Sequence, residues 1–311
     1  MAIVVIGAVF LDIKGFPDDI YIPDGRNAGT VKFVHGGVGR NVAEDIGNLE
    51  LRPRFVSMVD DSPEAAAIIR KLNNHKVNTD YVVTVPNGMG MWLAVFNENG
   101  DVAGSISKRP DIQPLRELLK EKGDEIISQA DSVIIEIDID KEIAKTVFSL
   151  AAKYGKKVYA VVANMGIALE RRDLIQKTDC IVCNEQEAGM LFIEDYSAYT
   201  PEQLCDIIEN RITSARIPAI VVTLGARGCV YASIDGEKGI YPAEKVHVAD
   251  TTGAGDSFCA GVAAGLTYGK SLRDSVAIGT KLAASVIAIN ENTCPRFQPE
   301  EFGLTVRESL N

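Results

Sequence analysis

The chain has 311 residues, 46% hydrophobic and 24% charged, with a formal net charge of −11. This is the make-up of a globular protein with a sizeable core, long enough for one large domain or two small ones. The acidic balance argues against a basic surface that tracks phosphates. No nucleic-acid partner is expected, and any anionic substrate needs a local positive pocket.

The opening "MAIVVIGAVFLDIKG" has no basic start, and its apolar run stops at Asp12. No signal peptide is expected, and no later stretch approaches membrane-spanning length, so the sequence predicts a cytoplasmic protein with no membrane partner. Short β-branched runs follow at 3–9, 132–137, 157–163, 180–183 and 219–225. Their continuous apolar character suits strands buried on both faces. Helix-like stretches lie between them at 140–154 and 201–215. The second opens "TPEQL", a Thr N-cap with Pro at N1 and Gln at N3. This alternation predicts an α/β fold with a doubly wound, mainly parallel sheet.

Residues 13–34 and 80–107 break the rhythm. The stretch "MWLAVFNENGDVAGSIS" alternates apolar and polar and reads as a hairpin turning at Asn99-Gly100. These regions are expected to form a small antiparallel sheet, a lid on a single domain spanning 1–311. Six cysteines in so long a chain do not read as a disulfide framework. Cys180 and Cys183, a lone C-x-x-C, read as core residues of a buried strand.

In α/β sheets ligands bind beyond the carboxyl ends of the strands. The polar residues there are Asp12, Glu136, Asp138, Asn164, Asn184 and the Thr223-Leu224-Gly225 turn. Near the C-terminus "VHVAD" (246–250) reads as a strand, and the small apolar run from Ser257 reads as a tightly packed helix. Between them Gly253-Ala254-Gly255 lets backbone N–H groups approach an anion, helped by the partial positive charge of the helix N-terminus. Asp256 sits where a carboxylate repels phosphate. It reads either as a first-turn acid complementing the helix dipole or as a base taking a proton from a hydroxyl that attacks phosphorus. There is no G-x-x-x-x-G-K-[ST], no complete dinucleotide fingerprint and no G-x-S-x-G elbow. None of the three histidines has metal-ligand spacing.

"DTTGAGDSF" (250–258) and "GGVGRN" (36–41) resemble the two signatures of the ribokinase/PfkB family of carbohydrate and nucleoside kinases. "NEQE" (184–187) and "TLGARG" (223–228) are similar to two further motifs of that family, and the four stand in family order along essentially the whole chain. The resemblance implies a ribokinase-like fold with a β-lid over the sugar, and ATP and Mg2+ as cofactors. It implies Asp256 as catalytic base and the Gly253, Ala254 and Gly255 amides as an anion hole. Asn184 and Glu187 would organise magnesium and phosphates through water, and could equally form an N-cap box. Thr223, Gly225 and Gly228 would line the nucleotide pocket, and Asp250 and Thr252 would match the K+ site of some members. Asp12, Gly37 and Asn41 would bind acceptor hydroxyls, as their paired hydrogen-bonding capacity allows. The proline that many members carry beside Asn164 is missing. Glu136 and Asp138 compete for one acidic position; Asp138 is carried as the candidate and the choice stays open.

Residues 29–47 and "ENTCPRF" (291–297) look particularly like pseudouridine kinases. The expected activity is therefore phosphorylation of a primary hydroxyl of a sugar or nucleoside, first the 5′-hydroxyl of pseudouridine. Ribokinase- or fructokinase-like action, and a non-catalytic sensor on the same fold, are the alternatives. Lid residues Met89, Met91, Trp92, Lys108 and Arg109 are the candidates for selecting this small-molecule substrate, and the lid could pair two copies as a homodimer.

Overall fold

The structure, a computed structural model, describes residues 1–305. The chain opens with β1 (Ile3–Ile6), then runs through β2 (Phe10–Pro17) and β3 (Gly29–Gly36) into α1 (Val38–Asn48). It continues with β4 (Arg54–Val59), α2 (Pro63–Asn74), β5 (Asn78–Thr84), β6 (Gly90–Phe96) and β7 (Val102–Lys108). A run of alternating helices and strands follows: α3 (Gln113–Ser128), β8 (Ser132–Glu136), α4 (Lys141–Tyr154) and β9 (Lys157–Val161). After the short helices α5 (Met165–Ala168) and α6 (Arg172–Ile175) come β10 (Cys180–Asn184), α7 (Glu185–Phe192) and α8 (Pro201–Ala215). The last elements are β11 (Ala219–Thr223), β12 (Cys229–Ser233), β13 (Lys238–Tyr241), α9 (Ala254–Thr267) and α10 (Leu272–Ile287).

Nine strands form one sheet in the order β13-β12-β11-β10-β9-β8-β1-β4-β5, parallel except at the β11–β12 and β12–β13 edge. Period-2 alternation within β1 feeds two apolar layers. Ile3 and Val5 join Val42, Ile46, Ile68, Val262 and Leu282 on one face. Val4 and Ile6 join Leu119, Val147 and Ile208 on the other. Helix ends follow local chemistry. Thr200 and Gln203 form the expected capping box of α8, and Asp140 accepts from Glu142 and Ile143 N–H at the start of α4. The six cysteines are buried and free. No helix among the described residues is long and apolar enough to cross a membrane.

Four strands form a second sheet, β3-β2-β6-β7, whose β6–β7 hairpin turns at Asn97–Asp101 with Gly100 at φ 83°. Three expectations are corrected here. The small sheet is not wholly antiparallel, because β2 pairs with β6 in parallel across the long connection that carries α1 and α2. Residues 80–84 belong to β5 at the edge of the large sheet, and β2 starts at Phe10, so the small sheet is drawn from 10–17, 29–36, 90–96 and 102–108. Residues 246–250 form no strand; Pro242 directly after β13 lacks the N–H that would extend the ladder, and Ala249 N–H instead donates to Ile287 O at 2.8 Å.

Candidate active site

The site forms where α1 and α9 meet the carboxyl ends of the strands. α1 begins immediately beyond β3 with Gly37 at its N-cap, φ 99°. It can press onto β1 because Gly39 faces Gly7. A Cβ on Gly7 would lie 2.6 Å from the Gly39 Cα. Asn41, one turn into α1, donates from Nδ2 to Asp256 Oδ2 at 2.7 Å. Asp12 lies on β2 opposite Val34 and Trp92, and a Cβ on Gly36 would come within 2.6 Å of its carboxylate. Asp12, Gly37, Asn41 and Asp256 therefore converge on one end of α1.

α9 starts at Ala254, not at Ser257, so Asp256 lies in its first turn. Its N-cap Gly253 has φ 81°, and a side chain there would collide with the Asn292 carbonyl. A Cβ on Gly255 would meet no atom within 4 Å. Ala254 N–H donates to Thr251 O at 3.3 Å, while the space beside Gly255 stays open at a helix N-terminus, an arrangement suited to phosphate oxygens. On the far side Ala254 and Gly255 line a cavity of about 160 Å³ with Thr223, Gly225, Gly228 and Phe258. Thr280, Ala283, Ala284 and Ile287 of α10 complete it. Sequence reading missed these; their only signal was a small, apolar face on an otherwise ordinary helix.

Asn184 and Glu187 form a reciprocal capping box on α7, each bond 2.8 Å. One Glu187 oxygen is used in this way. Burial raises its pKa, the Asn184 N–H opposes this, and Asp138 adds to it. Asp250 accepts from Thr252 N–H at 2.9 Å. Burial alone would raise the Asp250 pKa, but that bond and nearby Lys14 hold it low. Among the described residues no three His, Cys, Asp or Glu side chains converge on one point. A magnesium ion, if held at Glu187, would take most of its oxygens from phosphate and water, as this ion commonly does.

The two competing acids are both buried and both held by backbone N–H groups. Glu136 accepts from Ala8 N–H at 3.0 Å and Gly39 N–H at 3.3 Å, stitching β1 to α1. Burial, then the Asp138 charge, push it to about 8. Asp138 accepts from Ala163 N–H at 2.9 Å, and its charge acts on both Glu136 and Glu187. Asn164 caps α5 through Ile167 N–H.

A second cavity, about 260 Å³, lies between the small sheet and the main body, lined by Lys14, Phe16, Lys32 and Phe96 on one side and Asp250, Thr252 and Asn292 on the other. Phe16 and Phe96 stack at 4.7 Å, with Trp92 edge-on to Phe96 at 6.5 Å. Of the five lid candidates only Trp92 joins this aromatic group. Met89 is buried in the core, Met91 packs against it, Lys108 donates to Asn87 Oδ1 and Arg109 is exposed. Phe16 and Phe96 escaped notice because the β2–β6 parallel pairing that joins them is not local in sequence.

A doubly wound sheet with an amide cradle, an adjoining cavity and a carboxylate at the helix mouth has the form of an α/β phosphotransferase. Residues 2–292 match the pfkB family carbohydrate kinases, and the chain belongs to that family; it is a kinase that transfers phosphate to a hydroxyl group. Guanosine-inosine kinase of Exiguobacterium acetylicum is 34% identical over 292 residues, covering 93% of this chain and 95% of that one. Pseudouridine kinase of Escherichia coli is 24% identical over 287 residues, 87% of each. In fold the chain is similar to Arabidopsis thaliana ribokinase complexed with ribose and ATP, with TM-score 0.81, 21% identity and coverage of 97% and 99%.

Glu136 binds a proton in the folded state between its ordinary value of 4.5 and about 8. Its stabilising contribution is therefore complete below the unfolded value and lost as pH rises through about 8. Glu136→Gln keeps an acceptor for both amides and does not titrate, so the decline in melting temperature between about pH 4.5 and 8 should flatten. Thermal melts across that range check this; an unchanged slope with a raised acceptor KM would make Glu136 an acceptor ligand instead.

Proposed function

We propose that this kinase transfers the γ-phosphate of ATP to the 5′-hydroxyl of a ribonucleoside, with guanosine or inosine as preferred acceptor. The observation that carries the reading is the Asn41–Asp256 pair at the mouth of α9, between the amide cradle and the aromatic inner face of the small sheet. Asp12 and Asn41 hold ribose hydroxyls beside Gly37, and Phe16, Phe96 and Trp92 offer an apolar wall for a base, which a free sugar does not need. The 34% identity to a guanosine-inosine kinase favours a purine. Pseudouridine is the second reading, supported by residues 29–47 and by the more distant relative.

In the proposed reaction Asp256 takes the proton of the 5′-hydroxyl as its oxygen forms a bond to the γ-phosphorus. The bond to the bridging oxygen breaks and ADP leaves with that electron pair. Gly253, Ala254 and Gly255 N–H groups receive the charge of the transferring group. Thr223, Gly225 and Gly228 bound the nucleotide cavity. Asn184 and Glu187 would hold magnesium, which would neutralise phosphate charge, and Asp250 with Thr252 would hold K+.

Withdrawal from water raises the Asp256 pKa to about 6, against the opposing Asn41 bond and Arg40 charge. As a base it must be ionised, so kcat/KM should fall as pH drops through about 6. Asp256→Asn should lower kcat by about 10²–10⁴-fold with ATP affinity kept. Near-normal turnover in steady-state assays would end the assignment.

The acceptor is tested by ATP consumption with guanosine, inosine, pseudouridine, uridine, adenosine, ribose and fructose. Guanosine and inosine should lead. Ribose or fructose in front would reassign the enzyme as a sugar kinase.

We further propose a homodimer through the outer face of the small sheet, which serves as the lid of a single domain. Phe33, Ile13, Leu93 and Ile106 are consecutive cross-strand partners there, and Phe33, Leu93 and Ile106 are 62%, 40% and 71% exposed. The protein should sediment as a dimer and Phe33→Glu with Ile106→Glu as a monomer; a monomeric wild type would refute the pairing.

A further inference from the structure

The segment 291–297, singled out in the sequence, passes directly behind the site. Four α1 residues at helical spacing grip it. Asn41 Oδ1 accepts from Asn292, Glu44 Oε1 from Thr293 Oγ1 at 2.9 Å, and Asp45 Oδ1 from Cys294 N–H at 2.6 Å, while Asn48 Nδ2 donates to Cys294 O at 2.6 Å. All four are buried in a helix stripe that is polar throughout. Asn292 has the central place in this contact. Its Nδ2 donates to His35 O at 2.6 Å and to Asn41 Oδ1 at 3.3 Å. His35 lies at the end of β3, where the small sheet joins α1. The Asn292 backbone carbonyl packs on Gly253, the first residue of the cradle.

The direction of this chain of amides is fixed by chemistry. A backbone carbonyl only accepts, so Asn292 must present its NH2 to His35. That NH2 then faces Asn41, which must answer with its oxygen. The remaining side of the Asn41 amide, its NH2, is left pointing at Asp256, as the 2.7 Å bond requires. Without a donor at position 292, the Asn41 amide is held from one side only, by its bond to the Asp256 carboxylate, and its oxygen has lost the partner that fixes the plane and position of the group.

We propose that Asn292 is a positioning residue for phosphoryl transfer: it orients Asn41 toward Asp256 and ties the hinge of the small sheet to the base and the cradle. This rests on the assignment of Asp256 as the base. Asn292 also lines the cavity under the small sheet, but its part in this scheme is played through Asn41 and Gly253. Its effect is on the reacting geometry, where a misplacement of about 1 Å can cost about 10²-fold in rate.

The test uses Asn292→Leu, which keeps the shape of asparagine and removes both donors, and Asn292→Ser, which restores one. Trp92 is the only tryptophan and stands in the lid, so its emission reports acceptor binding independently of turnover. The acceptor is guanosine, or the panel member that the wild-type enzyme phosphorylates fastest. Asn292→Leu should lose about 10–100-fold in kcat with the acceptor affinity read from Trp92 and the KM for ATP little changed. Asn292→Ser should recover part of that loss. Should the leucine variant not fold, Asn292→Ala takes its place. Wild-type kcat in the donor-free variant would overturn the proposal, as would a loss confined to acceptor affinity or a serine variant no better than leucine. Full activity in Asp256→Asn removes the base assignment and this proposal together. Loss there with unaltered Asn292 variants removes this proposal alone.

Discussion

The site is built around a helix whose buried face is charged. Arg40, Asn41, Glu44, Asp45 and Asn48 of α1 are each 5% exposed or less, and a buried polar group without a partner costs on the order of 1–3 kcal/mol. Each must therefore be met. Arg40 is met by Glu44 and by the His35 and Gly36 carbonyls, Glu44 further by Lys71 and Thr293, Asp45 by Ser257 and Cys294. These obligations fix the lid hinge, the 292–294 segment and the first turn of α9 at once. A greasy α1 would pack, but would leave those three pieces free to choose their own positions.

Two neighbouring aspartates show what this environment does. Asp45 is fully buried, and burial drives it to about 8 even though Ser257 and Cys294 donate to it. Asp256 stands at the open end of the same contact, beside Asn41 and within the field of Arg40, and rises only to about 6. One is largely protonated at neutral pH and acts as a fixed strut. The other is ionised there yet close enough to neutrality to exchange a proton.

The amount of this legible in the sequence follows how local each determinant is. The buried strands and the α8 cap depend on a few consecutive residues, so period and capping chemistry reveal them. The Gly253-Ala254-Gly255 turn at the start of α9 is local too. The 246–250 segment alternates like a strand but has no neighbouring edge to pair with, a tertiary condition no alternation encodes. The parallel β2–β6 pair, and with it the Phe16–Phe96 stack, joins residues 80 apart in the chain. The polar stripe of α1 reads from sequence as a solvated helix face. Only the return of residues 292–294 from the far end of the chain makes it interior.

The same logic explains how a protein of net charge −11 can handle a polyphosphate. Its field repels anions at a distance, but at about 0.15 M salt such repulsion between exposed charges is screened beyond about 8 Å. Inside the cleft the potential is set by what lies within that range: the 253–255 amides, the α9 dipole and Arg40 against Asp256 and Glu187, and Lys14 with Lys32 across the 260 Å³ cavity from Asp250 and Glu291. Directly opposed lysines on adjacent strands repel each other. An ordinary sheet would avoid that pairing. Asp250 and Glu291 line the same cavity opposite them, so the lysine pair is met by two carboxylates, and the positive potential that a polyphosphate needs comes from the amides and dipole at the start of α9.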